Sequence, residues 1–462
     1  MVEVVPIETP GLGDRSYLVH DGKVAVAIDP QRDIARVLEI AAAAEVAITH
    51  VAETHIHNDY VTGGLELAHR TGAIYVVAGA DDVDYDRHAV GDDDTVTVGS
   101  FSLRVLATPG HTANHLSYVA VADGHPVAVF TGGSLLYGTV GRTDLVSADL
   151  TSELTRAQYR SAHRLVADLP GDVPVWPTHG FGSFCSSAKS SGASTSTIGD
   201  EQRTNLALTV EDEDTFVEHL LGGLTAYPRY YAQMAPINRA GPAPVDLSPV
   251  ATVDPVELRR RVHAGEWVID LRERRAFARG HLPGTVSVEL GDPFATYLGW
   301  VLPWGSPITL IGESVGQVAE AQRALVRIGI DRPSGAAHGT IESVAGGHAT
   351  SAYEVADFAD LASALSEHRP LTVVDVRRPD ERSGGGIRGS VHIPLHELAD
   401  RIGSLPSGPL WVHCASGFRA SIGASILDRA GRSVVLIDDG WERAVQSDIP
   451  VDGVQGRPPS DQ

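Results

Sequence analysis

The chain has 462 residues, of which 43% are hydrophobic and 21% are charged, so it can bury extended cores and is not intrinsically disordered. This length predicts roughly two to four domains. The formal net charge of −23 argues against nucleic acid and anionic membranes as partners. The chain has only two cysteines, no basic and apolar leader and no apolar run of about 18 residues. A soluble cytoplasmic protein is therefore predicted.

Changes in sequence texture divide the chain into four predicted segments. Residues 1–235 alternate short β-type runs with a few helical stretches and form the first predicted domain. The proline-bearing residues 236–250 are predicted to be a linker. Residues 251–350 and 351–462 each show strand–helix alternation, the pattern of a parallel sheet covered by helices. An α/β multidomain fold is thus expected.

Histidines follow several predicted strands of the first domain. In AETHIHNDYVTGG, the residues His55, His57 and Asp59 occupy alternate positions, so in an extended segment their side chains lean the same way. That spacing is typical of the start of a metal site. His111 and His179 each come after a strand and a turn. We expect these side chains to converge on one edge of a sheet sandwich.

The last two segments are predicted to be copies of one another. WVIDLRERRAFARGHLPGTVSV aligns without a gap with TVVDVRRPDERSGGGIRGSVHI, which places Asp270 opposite Asp375 and Arg272 opposite Arg377. Each begins with a hydrophobic strand that ends in Asp-x-Arg and reaches a glycine-containing turn before the next strand. A chance match of this length is improbable, so the sequence indicates an internal duplication.

The second copy carries a cysteine in a reactive context. In PLWVHCASGFRASIGASILDRAG, Cys414 stands at the end of a strand, and its loop closes on Arg419 before a helix begins. The amides of a tight loop, the helix N-terminus and the guanidinium all favour an anion, so they favour a reactive thiolate. The alternative is a buried structural cysteine. The first copy has Gly312 and Gln317 at these two positions and has no thiolate to carry sulfur covalently.

The strand–Cys-x4-Arg–helix pattern, preceded by the Asp-x-Arg strand, resembles the rhodanese sulfurtransferase domain. Phosphatase relatives of this fold use a loop one residue longer, so phosphatase activity is the weaker interpretation. The resemblance implies that Cys414 accepts a sulfane sulfur as a persulfide and that Arg419 belongs to the catalytic loop. It also implies that Ser416 and Gly417 bind substrate. Residues 251–350 are implied to be an inactive rhodanese-like domain.

The first domain resembles the metallo-β-lactamase fold, an αββα sandwich. THIHNDYVTGG, TPGHTANHLSY, FTGGSLLYGTVGRTDL and THGFGSFC are most similar to the persulfide dioxygenases. The whole order of domains resembles persulfide dioxygenase–rhodanese fusion proteins, in which two rhodanese-like α/β domains with parallel sheets follow the dioxygenase domain.

This resemblance implies one iron(II) held by two histidines and an aspartate. His55 and His111 match the two histidines, but Gly133 stands at the position of the aspartate. Tyr60 replaces the histidine that binds the second ion of the two-metal hydrolases of this fold, which argues against such an enzyme. On this basis, Gly133→Asp is expected to raise iron(II) affinity.

His55, His57 and His111 remain as the predicted ligands of a single ion, iron(II) or alternatively zinc. Asp59 and His179 rank below them, because two ligands are too few for a stable second ion. Cys185 follows His179 closely in the sequence, and a loop near a metal cleft could place its thiol to receive sulfur from a substrate. The alternative for Cys185 is an ordinary buried thiol.

Two functions remain open at this point. The first is a bifunctional enzyme of sulfide and persulfide metabolism, which oxidises thiol persulfides to sulfite and transfers sulfur through Cys414. The alternative is a sulfurtransferase whose first domain is a non-catalytic persulfide-binding module, or a mononuclear metallo-hydrolase. The expected partners are a low-molecular-weight thiol persulfide or thiosulfate, and we expect a homo-oligomer.

Overall fold

The computed structural model describes residues 1–188 and 192–453. The end of the last predicted domain, residues 454–462, lies outside this description. The described residues form two compact units: the first comprises those of 1–246 and 325–331, and the second comprises those of 247–324 and 332–453.

The first unit contains two β-sheets. Its strands are β1 (Glu3–Thr9), β2 (Asp14–His20), β3 (Val24–Ile28), β4 (Ala47–Ala52), β5 (Ile74–Ala78), β6 (His88–Val90), β7 (Thr95–Val98), β8 (Phe101–Ala107), β9 (Leu116–Ala122), β10 (His125–Gly132) and β11 (Val175–Pro177). Strands β1 to β6 form one sheet in sequential order, and the other sheet has the order β11-β10-β9-β8-β7. Its helices are α1 (Ala35–Ala43), α2 (Gly64–Thr71), α3 (Thr151–Asp168), α4 (Ile198–Thr204), α5 (Leu206–Thr209), α6 (Glu213–Gly223) and α7 (Tyr231–Ala240).

The two sheets of the first unit pack face to face. Alternating side chains of β8, such as Phe101 and Leu103, join Val26 and Val76 of the other sheet in one buried cluster. A second cluster lies between the six-stranded sheet and helices α1 and α2. A third cluster packs α3 and α6 against the five-stranded sheet. The predicted αββα layering is therefore confirmed.

The carboxyl ends of β8, β10 and β11 lie at the same end of their sheet, because the three strands run in the same direction. β8 and β10 are each antiparallel to β9, and β11 is parallel to β10, so all three run the same way. His111, Gly133 and His179 follow these three strands, and His55 follows β4 of the other sheet. The sandwich thus gathers four sequence-distant segments at one place.

Helix α7 extends into the predicted linker as far as Ala240. Pro236 lies inside it and removes one backbone donor, yet the helix keeps Met234 and Asn238 buried. The Asn238 amide donates to the backbone oxygens of His57 and Tyr60, each at 2.9 Å. This helix therefore supports the loop that carries the first histidines, and residues 241–250 beyond it form no helix or strand.

The second unit contains the two copies, except that residues 325–331, including the end of α11, belong to the first unit. Its helices are α8 (Pro255–His263), α9 (Arg274–Arg279), α10 (Phe294–Val301), α11 (Val315–Arg327), α12 (Ile341–Ala345), α13 (Phe358–Ser366), α14 (Pro379–Ser383), α15 (Leu395–Arg401), α16 (Phe418–Arg429) and α17 (Trp441–Gln446), with a 3-10 turn at Ile402–Ser404. Its strands are β12 (Trp267–Asp270), β13 (Val286–Ser287), β14 (Ile308–Gly312), β15 (Gly335–His338), β16 (Glu354–Ala356), β17 (Thr372–Asp375), β18 (Gly386–Ile387), β19 (Val391–His392), β20 (Leu410–His413), β21 (Val434–Ile437) and β22 (Val451–Asp452).

Each copy has its own parallel sheet, as the strand–helix alternation predicted. The sheets have the orders β13-β12-β14-β15 and β16-β21-β20-β17-β19, while β18 and β22 form a separate pair. Asp270 lies opposite Ile311 in the first copy, and Asp375 lies opposite His413 in the second, so the register repeats. Within the described residues, no helix is long and apolar enough to cross a membrane.

Candidate metal and sulfur-transfer sites

Three of the predicted histidines come together in the first unit. His55, His111 and His179 are buried, and each offers a ligand atom within 4.8 Å of the other two. The Nδ1 atom of each ring has a polar partner, namely Thr54 Oγ1 at 2.9 Å, the Arg142 carbonyl oxygen at 2.7 Å and Asp14 Oδ1 at 2.9 Å. Such partners fix the tautomer of a metal-binding histidine and leave Nε2 available.

The Nε2 atoms of these rings fit the role of metal ligands. Those of His55 and His179 lie 3.3 Å apart. His111 Nε2 is buried and has no hydrogen-bond partner among residues 1–188 and 192–453. An orphaned buried nitrogen is costly, and an ion would satisfy it. The group therefore fits a single ion with three imidazole ligands.

The protonation of the three rings differs. Burial lowers the pKa of His55 well below its ordinary value, and burial together with His179 lowers the pKa of His111 to about 3. Burial would also lower the pKa of His179, but the carboxylates of Asp59 and Asp14 outweigh it and raise that pKa. The first two rings are thus neutral and ready to bind an ion, whereas His179 loses a proton when it does.

His57 lies in a different group, with Asp29 and Glu53. Its Nε2 is 3.2 Å from Glu53 Oε2 and 3.4 Å from Asp29 Oδ1. Burial would lower the pKa of His57, but these two carboxylates raise it to about 9. The structure therefore gives His57 the surroundings of a buried imidazolium, and its predicted role beside His55 and His111 stays a prediction.

Tyr60 packs against His57. Its ring stacks on His57 with the centroids 4.2 Å apart, and its hydroxyl lies 3.0 Å from His57 Nε2. Asp59 pairs with His179, with 3.2 Å between Oδ2 and Nδ1, and also belongs to a group with His57 and His179. Because His179 is shared with the three-histidine group, one ion there takes a ligand away from this second group.

Gly133 follows β10 directly and faces the His111 ring. A Cβ atom on Gly133 would lie 2.5 Å from His111 Cγ and closer still to Cδ2. The backbone of Gly133 is not in the left-handed region, so the obstacle to a side chain is the ring itself. The sequence predicted that Gly133→Asp restores a ligand, with strain from a positive φ angle as the steric risk. In the structure, His111 has to move before a side chain fits.

Several residues of the site were missed by the sequence reasoning. His115 stacks on His55 with the centroids 4.9 Å apart and accepts a hydrogen bond from the Gly133 amide at 3.0 Å. Its only signal was its presence in TPGHTANH. Asp14 and Glu53 carried no metal-like spacing, because their contacts depend on the fold.

Cys185 is buried beside the acidic side of this site. The Cys185 backbone oxygen accepts a hydrogen bond from the Arg142 amide at 2.8 Å. The Cys185 amide donates to Ser183 Oγ at 3.2 Å. Burial first, and then the charges of Asp59 and Asp14, raise the pKa of the thiol well above its ordinary value. The thiol is therefore protonated next to Asp59, close to the three-histidine group.

A cleft of about 200 Å³ opens beside the histidine loops. Ile56 and Asn58 flank His57, and Thr112 follows His111. The remaining lining residues are Asp81, Ala113, Asn114, Leu145, Val146, Tyr231, Ala232, Ala235, Pro236 and Arg239. The lining mixes polar and apolar side chains, and it carries one cation, Arg239, and one carboxylate, Asp81.

Cys414 stands between β20 and α16 in the second unit, as predicted. The thiol is buried, and its Sγ accepts from the Ser416 amide at 3.5 Å. Gly417 precedes the helix with φ +88°, a conformation that favours glycine. The Ser416 amide of the loop thus points toward the sulfur, and the loop leads directly into the helix N-terminus.

Arg419 is already paired in this structure. Both of its terminal nitrogens donate to Glu381, with 2.7 Å between Nη2 and Oε1. Its guanidinium also lies 5.8 Å from the ring centroid of Tyr297 in the first copy. Glu381 was not predicted, because an acidic residue on a short polar helix gives no signal of such a pairing.

In the first copy, Gln317 of the corresponding loop forms hydrogen bonds with neighbouring backbone groups. Gln317 accepts a hydrogen bond from the Glu313 amide at 2.6 Å and donates to the Leu271 carbonyl oxygen at 3.2 Å. Gly312 offers no side chain. The loop therefore contains neither a thiol that could carry sulfur nor a cation that could hold an anion.

Comparison with known proteins agrees with the two predicted kinds of domain. The rhodanese-like domain family matches residues 254–345 and 357–446, one match for each copy. The chain is 31% identical over 215 residues to the human mitochondrial persulfide dioxygenase ETHE1, covering 46% of this chain and 75% of that protein. The chain belongs to the persulfide dioxygenase family. Its predicted resemblance to persulfide dioxygenase–rhodanese fusion proteins is confirmed.

A solved structure and a further curated relative are also similar to this family member. A metallo-β-lactamase from Staphylococcus aureus subsp. aureus COL has a TM-score of 0.65 and 30% identity, and the match covers 72% of this chain and 98% of that one. A hydroxyacylglutathione hydrolase from Cupriavidus metallidurans is 32% identical over 189 residues, which is 39% of this chain and 67% of that protein. The predicted fold class is confirmed. The homologues imply a metal site in this persulfide dioxygenase family member.

Proposed function

We propose that the chain is a bifunctional enzyme of persulfide metabolism, a persulfide dioxygenase fused to a rhodanese sulfurtransferase. The supporting observation is the presence in one chain of a buried three-histidine group in a persulfide dioxygenase-type domain and a cysteine loop in a rhodanese-like domain. Both sites act on the same chemical feature, a sulfur atom bound to another sulfur.

His55, His111 and His179 are the residues proposed to hold one ion, with iron(II) as the proposed metal and zinc as the alternative. Bound iron would supply the redox chemistry that joins oxygen to sulfur. Thr54, Asp14 and the Arg142 carbonyl oxygen orient the rings. The neighbouring cleft admits the thiol persulfide, and Arg239 at its wall pairs with an acidic group of that compound.

Sulfur transfer is proposed to occur at Cys414. Its thiolate attacks the outer sulfur of a thiol persulfide or of thiosulfate, the sulfur–sulfur bond breaks, and the electron pair leaves with the thiol or with sulfite. The outer sulfur then stays on Cys414 as a persulfide. An acceptor thiolate or sulfite takes it in the reverse type of step, so no external oxidant is needed.

The other loop residues have proposed supporting roles. The Ser416 amide, already directed at the thiol, and the backbone at Gly417 bind the transferred sulfur. Arg419 orients the loop through Glu381. Cys185 is proposed to receive sulfur from a substrate in the first unit, and its place close to the three-histidine group supports this role. The thiol first has to lose its proton, because burial and Asp59 raise its pKa. The cytoplasmic location and the homo-oligomer stay predictions, the latter testable by light scattering.

Metal analysis combined with oxygen uptake tests the proposal. Purified protein reconstituted with iron(II) is expected to hold about one ion per chain and to consume oxygen with glutathione persulfide. Cys414→Ser is the control and should consume oxygen at the parent rate. Metal binding without oxygen uptake, with sulfur transfer intact, would favour the non-catalytic binding module. Oxygen-independent hydrolysis of a thioester would favour a mononuclear hydrolase.

A further inference from the structure

In the second unit, two arginines of the inactive copy contact one buried carboxylate of the active copy, that of Asp438. Asp438 follows β21, and its side chain is only 2% exposed. Arg274 Nε donates to Asp438 Oδ1 at 2.6 Å, and Arg275 donates to Oδ2. Both arginines begin α9, in the copy that has no cysteine.

The same carboxylate lies against the sulfur-carrying loop. A Cβ atom on Gly417 would lie 3.0 Å from Asp438 Cα and closer still to Oδ1. Three residues further on, the Trp441 amide donates to the Ala415 carbonyl oxygen at 2.9 Å. The segment from Asp438 to Trp441 therefore packs against the loop on both sides of Ser416.

Removal of the two arginines would leave a buried, unpaired carboxylate. Such a group is strongly unfavourable, so Asp438 would turn toward water or take up a proton. Either change shifts the wall against which Gly417 rests. The loop geometry at Cys414 is therefore coupled to side chains of the other copy.

A second contact between the copies lies next to the same loop. Tyr297 on α10 of the first copy has its ring centroid 5.7 Å from that of Phe418, the first residue of α16. Some other contacts between the copies lie far along that helix. His281 Nε2, for example, is 3.0 Å from Asp428 Oδ2 near the end of α16.

We infer that Arg274 and Arg275 are positioning residues for the Cys414 loop, which they hold through Asp438. This inference rests on the proposed sulfurtransferase function. It gives the inactive copy a role in transfer for which it needs no cysteine of its own. The two arginines reach the loop through Asp438, so they act on the rate through geometry.

Steady-state kinetics of thiosulfate:cyanide sulfur transfer test this role in the full chain. Asp438→Asn is expected to lower kcat by roughly ten-fold or more, because small displacements of a reacting group are costly. KM for thiosulfate should change by less than about two-fold, since the substrate contacts remain. Asp428→Asn is the matched control, because it weakens another carboxylate pair between the copies and should keep the parent kcat.

Arg275→Gln provides a second variant. The fold should tolerate this change, since the Arg275 side chain is 56% exposed. It should lower kcat by roughly two- to five-fold, and Arg275→Lys should restore most of it by keeping a cation at the carboxylate. Equal kcat losses in Asp428→Asn and Asp438→Asn would overturn the inference, as would a parent kcat in Asp438→Asn. A parent without any sulfur transfer would instead refute the proposed function.

Discussion

The imidazole ring of His111 occupies the space that a side chain on Gly133 would need. The contact distances of 2.5 Å and less from the added Cβ would force the ring away from the Arg142 carbonyl oxygen, which now accepts its Nδ1 proton at 2.7 Å. We therefore expect Gly133→Asp to be destabilised by about 1–3 kcal/mol, as for other overpacked sites, and to bind no more iron than the parent.

Gly133→Ala separates the steric effect from the charge, because it adds the same Cβ without a carboxylate. Both variants should show a lower melting temperature and weaker iron binding in calorimetry. A Gly133→Asp protein with the parent melting temperature and higher iron content would show that His111 moves readily and that the aspartate serves as a ligand.

The structure and the sequence favour different third ligands. We expect His179→Asn to lose most bound iron after anaerobic reconstitution, because it removes one of the three converging rings. His57→Asn is the matched comparison and should keep most of the iron. Each change leaves buried carboxylates without their imidazole partner, so both should destabilise the first unit by about 3–5 kcal/mol. The opposite order of iron contents would support His55, His57 and His111 as the ligands.

Cys414→Ser should abolish thiosulfate:cyanide sulfur transfer, since Ser lacks the nucleophilic sulfur that carries the persulfide. Its circular dichroism spectrum should match that of the parent. Cys185→Ser, the other cysteine variant, should retain the transfer rate in this assay, because Cys185 lies in the first unit. Residual transfer at the parent rate in Cys414→Ser would refute the assigned site.

The Glu381–Arg419 pair should make the second unit sensitive to acid. Burial would raise the pKa of Glu381, but Arg419 lowers it from 4.5 to about 2. A folded pKa below the unfolded value means that the stabilisation is complete above pH 4.5 and is lost as the pH falls toward 2. Glu381→Gln should therefore lower the melting temperature by a constant amount at neutral pH and by less at lower pH.

Glu397→Gln serves as the control for this titration. Glu397 also pairs with an arginine, Arg401, at 3.0 Å, but its side chain is 41% exposed. Exposed pairs contribute little, so this change should hardly alter the melting temperature. A deficit in Glu381→Gln that grows on acidification would contradict the direction of the Glu381 shift.

Local patterns in the sequence determined the fold class, the duplication and the cysteine loop. Strand alternation repeats over a few residues, and the gapless match of Asp270 with Asp375 needs only the order of the residues. The structure repeats this match, since Arg272 and Arg377 each donate to the aspartate of their own strand at 2.7 Å. Cys414 was found in the same way, because strand, loop and helix are contiguous.

Only the tertiary structure decided which distant side chains meet. His179 joins His55 rather than remaining peripheral, because β11 ends at the same edge as β8 and β10. The contacts of Asp14 with His179 and of Asp438 with Arg274 join residues more than a hundred positions apart. Sequence spacing carries no information about such pairs, because their distance depends on sheet order and on how the layers pack.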